Sequence, residues 1–308
     1  MNAVKRILVT GSSGMIGTAL CEELQRREYE VTGADIRHNG WSRSVDNATV
    51  ICDLRYRDFF NILPPDFDMV IHLAANARVF YTVVEPALAR DNFEIMFNVL
   101  EFSRLNNIAR IIFASSREVY GNSHDISFSE DEISLLGRCE SPYAATKIGA
   151  EALLAAYGLC YNLDYIVFRL SNVYGKYDDS NRVIPHFIKK TSEGEDLTVF
   201  GVEKLLDFTY ISDCSDAITS AIESFDRVKN NVFNIASGEG TTLLEVAKSI
   251  ISKTGANGRI VVKDSRPGEV VKYVANICKA TELLNYQPRV RLDEGIDKTI
   301  KWYRETGV

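Results

Sequence analysis

The sequence predicts a doubly wound parallel α/β sheet carrying a smaller, partly discontinuous α/β lobe. Three observations carry that prediction. Short β-branched runs alternate with longer amphipathic ones through the first half of the chain. The short runs are continuously apolar rather than strictly alternating, so helices cover both sheet faces. The first run ends in a glycine-rich turn, "TGSSGMIG", that opens directly into a helical pattern.

In order, strands are expected at "RILVT" (6–10), "EVTGAD" (30–35), "TVICD" (49–53), "DMVIHLA" (68–74), "RIIFAS" (110–115) and "DYIVFRL" (164–170). Helical patterns fill 14–27, 55–62, 84–106 and 143–161 between them. Past residue 172 the rhythm loosens. "NVYGKYDDSN" (172–181) reads as a polar, turn-rich loop. Helices are expected at 183–193, 213–224, 242–253, 278–284 and 293–305, with strands near 198–200, 206–211 and 231–236. Residues 1–172, with later segments around 207–238, therefore form the larger domain. Residues 173–206 and 239–308 form the smaller, substrate-capping lobe. No internal repeat is present.

At 308 residues, 46% hydrophobic and 25% charged, the composition is that of a globular protein. No run of about 18 apolar residues argues for a membrane span. The start, "MNAVKRILVTG", shows no cleavable apolar h-region, so a cytoplasmic location is expected. A net charge of −7 without a basic stripe argues against nucleic-acid binding. The six cysteines form no C-x-x-C pair and the four histidines no cluster, so free thiols and no metal are expected.

"ILVTGSSGMIG" places Gly11, Gly14 and Gly17 after the first strand and into a helix. Glycines there let the backbone turn sharply and approach a pyrophosphate, which sits on the helix N-terminus. A lone glycine motif is weak, and a tight strand-to-helix turn explains it equally well. Asp35 strengthens it, ending the second strand about twenty residues on, where a carboxylate binds an adenosine ribose. That carboxylate repels a 2′-phosphate, so the cofactor expected is NAD; Arg37 keeps NADP as a minor alternative. Asp53, in "ICDL" with Leu54, is placed to reach the adenine edge. Leu73, Ala74 and Ala75 of "HLAA" follow the dinucleotide path, as do Met15 and Ile16. His72 reads as a satisfied strand-end histidine.

"SPYAATKIGAE" puts Tyr143 and Lys147 on one helix face. A free phenol has a pKa of about 10, and a nearby ammonium lowers it. The pair is thus a candidate acid/base beside a hydride acceptor, although an ordinary exposed helix face also gives Y-x-x-x-K.

G-x-x-G-x-x-G, Asp35, Asp53, "HLAA", "SSREVYG" and "PYAATK" occur in the order and at spacings similar to those of the extended short-chain dehydrogenase/reductases. Within that Rossmann-type superfamily the chain resembles the NAD-dependent epimerase/dehydratase group acting on nucleotide-sugars. "RLSNVYG", "LDFTYISD", "NIASGE" and "RPGEVVKYVANICKATELLNYQPRVRLDEGI" extend the resemblance over essentially the whole chain. It implies that Ser116 hydrogen-bonds the sugar O4, that Tyr143 is the base and that Lys147 is its partner, also holding the nicotinamide ribose. Asn172 would contact the substrate diphosphate, as would Arg266, for which a surface ion pair with Glu269 is the plain alternative. Many members carry an arginine where Leu206 stands, so Lys204 and Arg182 become candidate substitutes. The resemblance also implies a homodimer built on the helices at 84–106 and 143–161.

The shared reaction implied is oxidation at the sugar C4. A 4-epimerase then needs no further groups, whereas a 4,6-dehydratase needs another acid and base, and a decarboxylase exploits the same ketone. In "SSREVYG", Glu118 fills the position of the dehydratase base and Arg117 stands where an aspartate acid would be. Strand alternation would point Ser116 and Glu118 one way and Arg117 the other; Glu118 paired structurally with Arg117 is the alternative. The first expectation is a UDP-glucose or UDP-N-acetylglucosamine type 4-epimerase, with a dehydratase or decarboxylase using Glu118 second. A non-catalytic NAD-binding protein remains the third, disfavoured because both Tyr143 and Lys147 are present.

Overall fold

The computed structural model describes residues 4–122, 127–131, 139–266 and 268–307. The first half runs β1 (Arg6–Thr10), α1 (Met15–Arg26), β2 (Glu30–Asp35), α2 (Arg43–Asn47), β3 (Thr49–Ile51), β4 (Met69–His72), α3 (Val79–Val84), α4 (Ala87–Leu105), β5 (Arg110–Ser116), β6 (Ser127–Phe128), α5 (Pro142–Tyr161) and β7 (Asp164–Leu170). The second half runs β8 (Asn172–Tyr174), α6 (Val183–Ser192), β9 (Leu197–Phe200), β10 (Leu205–Tyr210), α7 (Ile211–Glu223), α8 (Phe225–Val228), β11 (Asn231–Ile235), β12 (Gly240–Thr242), α9 (Leu243–Thr254), β13 (Ile260–Lys263), β14 (Lys272–Ala275), α10 (Cys278–Leu284) and α11 (Leu292–Thr306).

Among the described residues, seven strands form one parallel sheet in the order β11-β7-β5-β4-β1-β2-β3. This is the doubly wound α/β architecture expected. Its two faces follow from strand periodicity, because successive side chains point to opposite sides. Ile7, Val9, Ile71, Ile112 and Phe168 pack with Leu20 and Leu24 of α1 and Ile218 and Ile222 of α7. Leu8, Val70, Ile111, Phe113 and Val167 pack with Val99, Leu100 and Phe102 of α4 and with Ala150 and Leu154 of α5. Each fully buried Leu or Ile contributes about 1.5–3 kcal/mol on transfer from water. Strand order reverses between β1 and β4, so the cleft where such sheets bind ligands opens at the carboxyl ends of these strands.

Some boundaries differ from the sequence reading. The pattern at 55–62 is only a 3₁₀ turn, Arg57–Asn61. The stretch 84–106 begins one helix late, because α3 ends at Val84 and Pro86 starts a fresh helix. A residue before proline is pushed out of the helical region, and Glu85 accordingly lies outside it. The supposed loop at 172–181 opens with β8, which pairs in parallel with β10 (Asn172 opposite Phe208). Strand β10 also pairs with β12 and β14, and β14 with β6, forming the smaller sheet. Short strands such as these have too few residues for a period, and partners far along the chain define them. After β10, α7 packs on α1 and β11 joins the large sheet.

All six cysteines are free, and three of them, Cys21, Cys52 and Cys214, are buried. Among the described residues, no helix is long and apolar enough to cross a membrane.

Candidate active site

The glycine turn shows directly why glycine is required. Gly11 has φ +73°, and a Cβ there would sit 2.9 Å from the Ala74 nitrogen. A Cβ on Gly17 would fall 2.0 Å from the Gly11 carbonyl oxygen. The backbone is therefore as close-packed as a phosphate-cradling turn demands, with α1 beginning at Met15. At the end of β2, the Asp35 carboxylate accepts the Ser13 N–H at 2.9 Å and the Arg37 N–H at 3.2 Å. It is thus held beside the turn, where a ribose would lie. Asp53 is gripped by Arg55, which donates from Nη2 at 2.6 Å and also reaches Asp91 at 3.1 Å. Nothing in the sequence drew attention to Arg55.

His72 is buried, and its Nδ1 lies 2.7 Å from the Thr10 hydroxyl. Burial lowers its pKa to about 3, aided by the Lys147 charge, so the ring is neutral. It ties β4 to β1 at the sheet's reversal point, as a satisfied strand-end histidine would.

Strand β5 ends at Ser116, whose Oγ accepts the Glu118 N–H at 3.2 Å and caps a 3₁₀ turn, Arg117–Tyr120. Strand alternation therefore stops at Ser116. Contrary to the expectation that Arg117 and Glu118 point apart, they pair with each other at 3.0 Å. Glu118 is 3% exposed, and its Oε2, like Arg117 Nη1, has no hydrogen-bond partner among the described residues. Burial pushes the Glu118 carboxyl up, with Arg117 opposing. Tyr120 is a strut, donating to Asn234 at 2.6 Å and receiving Arg169 at 3.1 Å.

Helix α5 begins with Ser141 accepting the Ala144 N–H at 3.1 Å, and Pro142 fills its first turn. This start fixes Tyr143 and Lys147 on consecutive turns against β5. Lys147 donates to the Ala114 carbonyl at 2.8 Å, and its Nζ lies 5.7 Å from the Tyr143 ring centre. Burial lowers Lys147 to about 8, with Glu151 opposing. The phenol departs from the sequence expectation. Burial raises Tyr143 to about 12; the Arg182 charge is the largest influence pulling it down, followed by the hydrogen bond from Ser116. Desolvation outweighs the neighbouring cations, so Tyr143 is protonated at neutral pH in this state.

A single cleft of about 1000 Å³ collects these groups. Gly11, Gly14, Met15, Ile16, Gly17, Asp35, Asp53, Leu54, Leu73, Ala74 and Ala75 line one part; Ser116, Glu118, Tyr143, Lys147, Asn172, Arg182 and Arg266 line the rest. Every residue expected to bind cofactor or substrate or to act on it thus faces one cavity. Asn172, which lines the cleft, donates to the Asp207 carbonyl at 2.8 Å. Arg266 makes no pair with Glu269, which is engaged by buried Lys204. The Arg266 guanidinium instead stacks on Phe200 at 4.0 Å and Phe80 at 5.2 Å. Those two aromatics were invisible in the sequence, lying 66 and 186 residues away from Arg266.

Turn, ribose-side carboxylate and Tyr-Lys pair fit a nicotinamide dinucleotide, and comparison with known proteins agrees. A match to the family described as NAD dependent epimerase/dehydratase spans residues 7–236. The chain belongs to the NAD-dependent epimerase/dehydratase family. It is 32% identical over 320 residues to a UDP-N-acetyl-alpha-D-glucosaminuronate decarboxylase of Bacillus cytotoxicus, covering 98% of each chain. It is similar to a UDP-glucose 4-epimerase of Thermotoga maritima solved with UDP-glucose (31% identity, TM-score 0.90, 98% of this chain and 100% of that one). It is also similar to a Thermus thermophilus UDP-glucose 4-epimerase solved with NAD (28% identity, TM-score 0.89, 97% and 99%). As a member of this nucleotide-sugar epimerase/dehydratase family, the protein is an NAD-dependent enzyme with a Rossmann-type fold.

Proposed function

We propose that the enzyme is a nucleotide-sugar 4-epimerase of the UDP-glucose or UDP-N-acetylglucosamine type. One observation carries the choice over a lyase. Glu118, the carboxylate a dehydratase would use as base, is buried, held by Arg117 and pushed toward its protonated form. An epimerase needs only Ser116, Tyr143 and Lys147, and those three share the cleft.

In this reading Ser116 orients the sugar O4, and Tyr143, once ionised beside Lys147 and the positive charge of the bound cofactor, takes its proton. Lys147, anchored on the Ala114 carbonyl, holds the nicotinamide ribose and steadies the phenolate. NAD, when bound, supplies the positive ring that accepts the C4 hydride and gives it back. The glycine turn, Asp35, Asp53, Leu54 and Leu73 to Ala75 would hold that cofactor, while Asn172 and Arg266 engage the diphosphate. The larger domain, 1–172 with 207–238, thus presents the cofactor to a lobe made of 173–206 and 239–308. A homodimer through α4 and α5 completes the reading, supported by exposed Phe93, Phe97 and Leu159 on those helices.

The test is a panel of UDP-glucose, UDP-N-acetylglucosamine, UDP-glucuronate, dTDP-glucose and GDP-mannose, with products identified by mass and NMR. An isomeric product is expected, with Tyr143→Phe slower by at least about a hundredfold, within the usual range for losing a general base. Glu118→Gln should keep most of the activity. Loss of water or carbon dioxide from the substrate would replace this reading with the dehydratase or decarboxylase. Bound NAD with no turnover across the panel would favour a binding protein.

A further inference from the structure

Three consecutive residues at the end of β5 each meet a different turn of α5. Ser116 hydrogen-bonds the Tyr143 phenol. The Ala114 carbonyl accepts from Lys147, and the Ser115 hydroxyl donates to Glu151. Tyr143, Lys147 and Glu151 are spaced four apart, so they follow one another along one face of α5. The first two are the acid/base pair. The third carries no part of the proton transfer.

Glu151 is itself held from the sheet. Ser115 stands opposite Arg169 where β5 pairs with β7, and Arg169 opposite Asn234 where β7 pairs with β11. Residues opposite one another share a sheet face, so these three buried side chains form one polar row. Arg169 gives Nε and Nη2 to Glu151 and Nη1 to Tyr120, which in turn donates to Asn234. Tyr120 closes the turn that begins at Ser116. One carboxylate thus joins α5, β5 and β7 at the point where β5 reaches the cleft. The charged and titratable groups facing Lys147 are Tyr143 and Glu151 on its own helix and neutral His72 on β4. Of these, Glu151 alone brings a negative charge.

We propose that Glu151 is a positioning residue for the acid/base pair: its carboxylate, gripped by Arg169, holds the end of β5 against α5 through Ser115 and sets a negative charge one turn from Lys147. A misplacement of about 1 Å at the reacting atoms can cost about a hundredfold in rate, so one fixed strand end serves Ser116, Tyr143 and Lys147 together. This rests on the Tyr143–Lys147 acid/base reading above and goes beyond the carboxylate's part in folding.

The test compares NAD-loaded wild type, Ser115→Ala and Glu151→Gln at a temperature where circular dichroism shows each folded. Ser115→Ala cuts only the link to β5 and leaves the Glu151–Arg169 pair whole, so it serves even if Glu151→Gln fails to fold. On the panel sugar that wild type turns over, kcat should fall about tenfold in Ser115→Ala and further in Glu151→Gln, with KM within about twofold of wild type. Carbon-13 NMR of enzyme labelled at lysine Cε reads Lys147 directly, its signal assigned by its absence from Lys147→Met. In Glu151→Gln the lysine should titrate at lower pH, because removing a negative charge favours the neutral amine. In Ser115→Ala its signal should move as the Ala114 anchor loosens, without that change in titration. A merely structural role would move neither kcat nor these signals in folded protein. Wild-type kcat in the folded variants, or an unchanged Lys147 signal in them, overturns the inference and leaves the nucleotide-sugar reading intact. If no panel sugar is turned over, that reading fails, and the Lys147 signal by itself decides this inference.

Discussion

The Glu151→Gln variant should lose a large share of the protein's stability, and the structure says why. Arg169 on β7 is 1% exposed and meets Tyr120 of the turn that follows β5. Glu151 on α5 takes it in a two-pronged grip, from Nη2 at 2.8 Å and from Nε at 3.1 Å. Ser115 donates to the same carboxylate. The remaining guanidinium nitrogen donates to Tyr120 Oη at 3.1 Å and to the Glu130 carbonyl at 2.9 Å. Removing the carboxylate charge leaves a buried cation with only neutral acceptors. Breaking one side of such a pair costs about 3–5 kcal/mol, against a typical total of about 5–15. With a urea slope of about 1–3 kcal/mol per molar, the unfolding midpoint should fall by at least about 1 M. Equilibrium urea denaturation followed by circular dichroism measures this. Glu151 also supports the charge on Lys147, so the lysine's pKa should fall further below about 8 in the same variant. A midpoint within experimental error of wild type would refute the view that Glu151 compensates a buried charge.

Two further outcomes complement the Tyr143→Phe experiment. The folded pKa of His72, about 3, lies below its unfolded value of about 6.5. Its contribution is therefore complete well above pH 6.5 and is lost as pH falls through 6.5 toward 3, at up to about 1.4 kcal/mol per unit. Between pH 6.5 and 4.5 wild type should lose roughly 2 kcal/mol more than His72→Gln, and parallel denaturation profiles of the two would contradict this. Phe97, exposed on α4, belongs to the surface assigned to the dimer, so Phe97→Glu should sediment as a monomer with its NAD content unchanged. Wild type already monomeric at micromolar concentration would end the dimer proposal.

The large sheet was readable because its strands are apolar on both faces. Six of its seven strands come from the regular β/α alternation of residues 6–170, and β7 matches its expected bounds residue for residue. The glycine turn, Asp35 and the Tyr143–Lys147 spacing were readable too, since each is a local pattern whose chemistry depends on neighbours a few residues away. Helix α5 places Tyr143 and Lys147 by its own periodicity and its Ser141 cap.

Tertiary structure decided what depends on distant partners and on burial. Strand β8 exists because β10 lies beside it, 36 residues on, a pairing no three-residue window can reveal. Sequence pointed to a lowered Tyr143 because a lysine four residues away is visible, whereas the burial that raises the phenol is not. The same holds for the charges. Sequence offered Lys204 and Arg182 as equal substitutes at Leu206, and Glu269 as a partner for Arg266. Folding gave Glu269 to Lys204, stacked Arg266 on Phe80 and Phe200, and left Arg182 facing the cleft. Residue type fixes which charges a chain carries, but only three-dimensional proximity decides which of them cancel and which remain to meet a ligand.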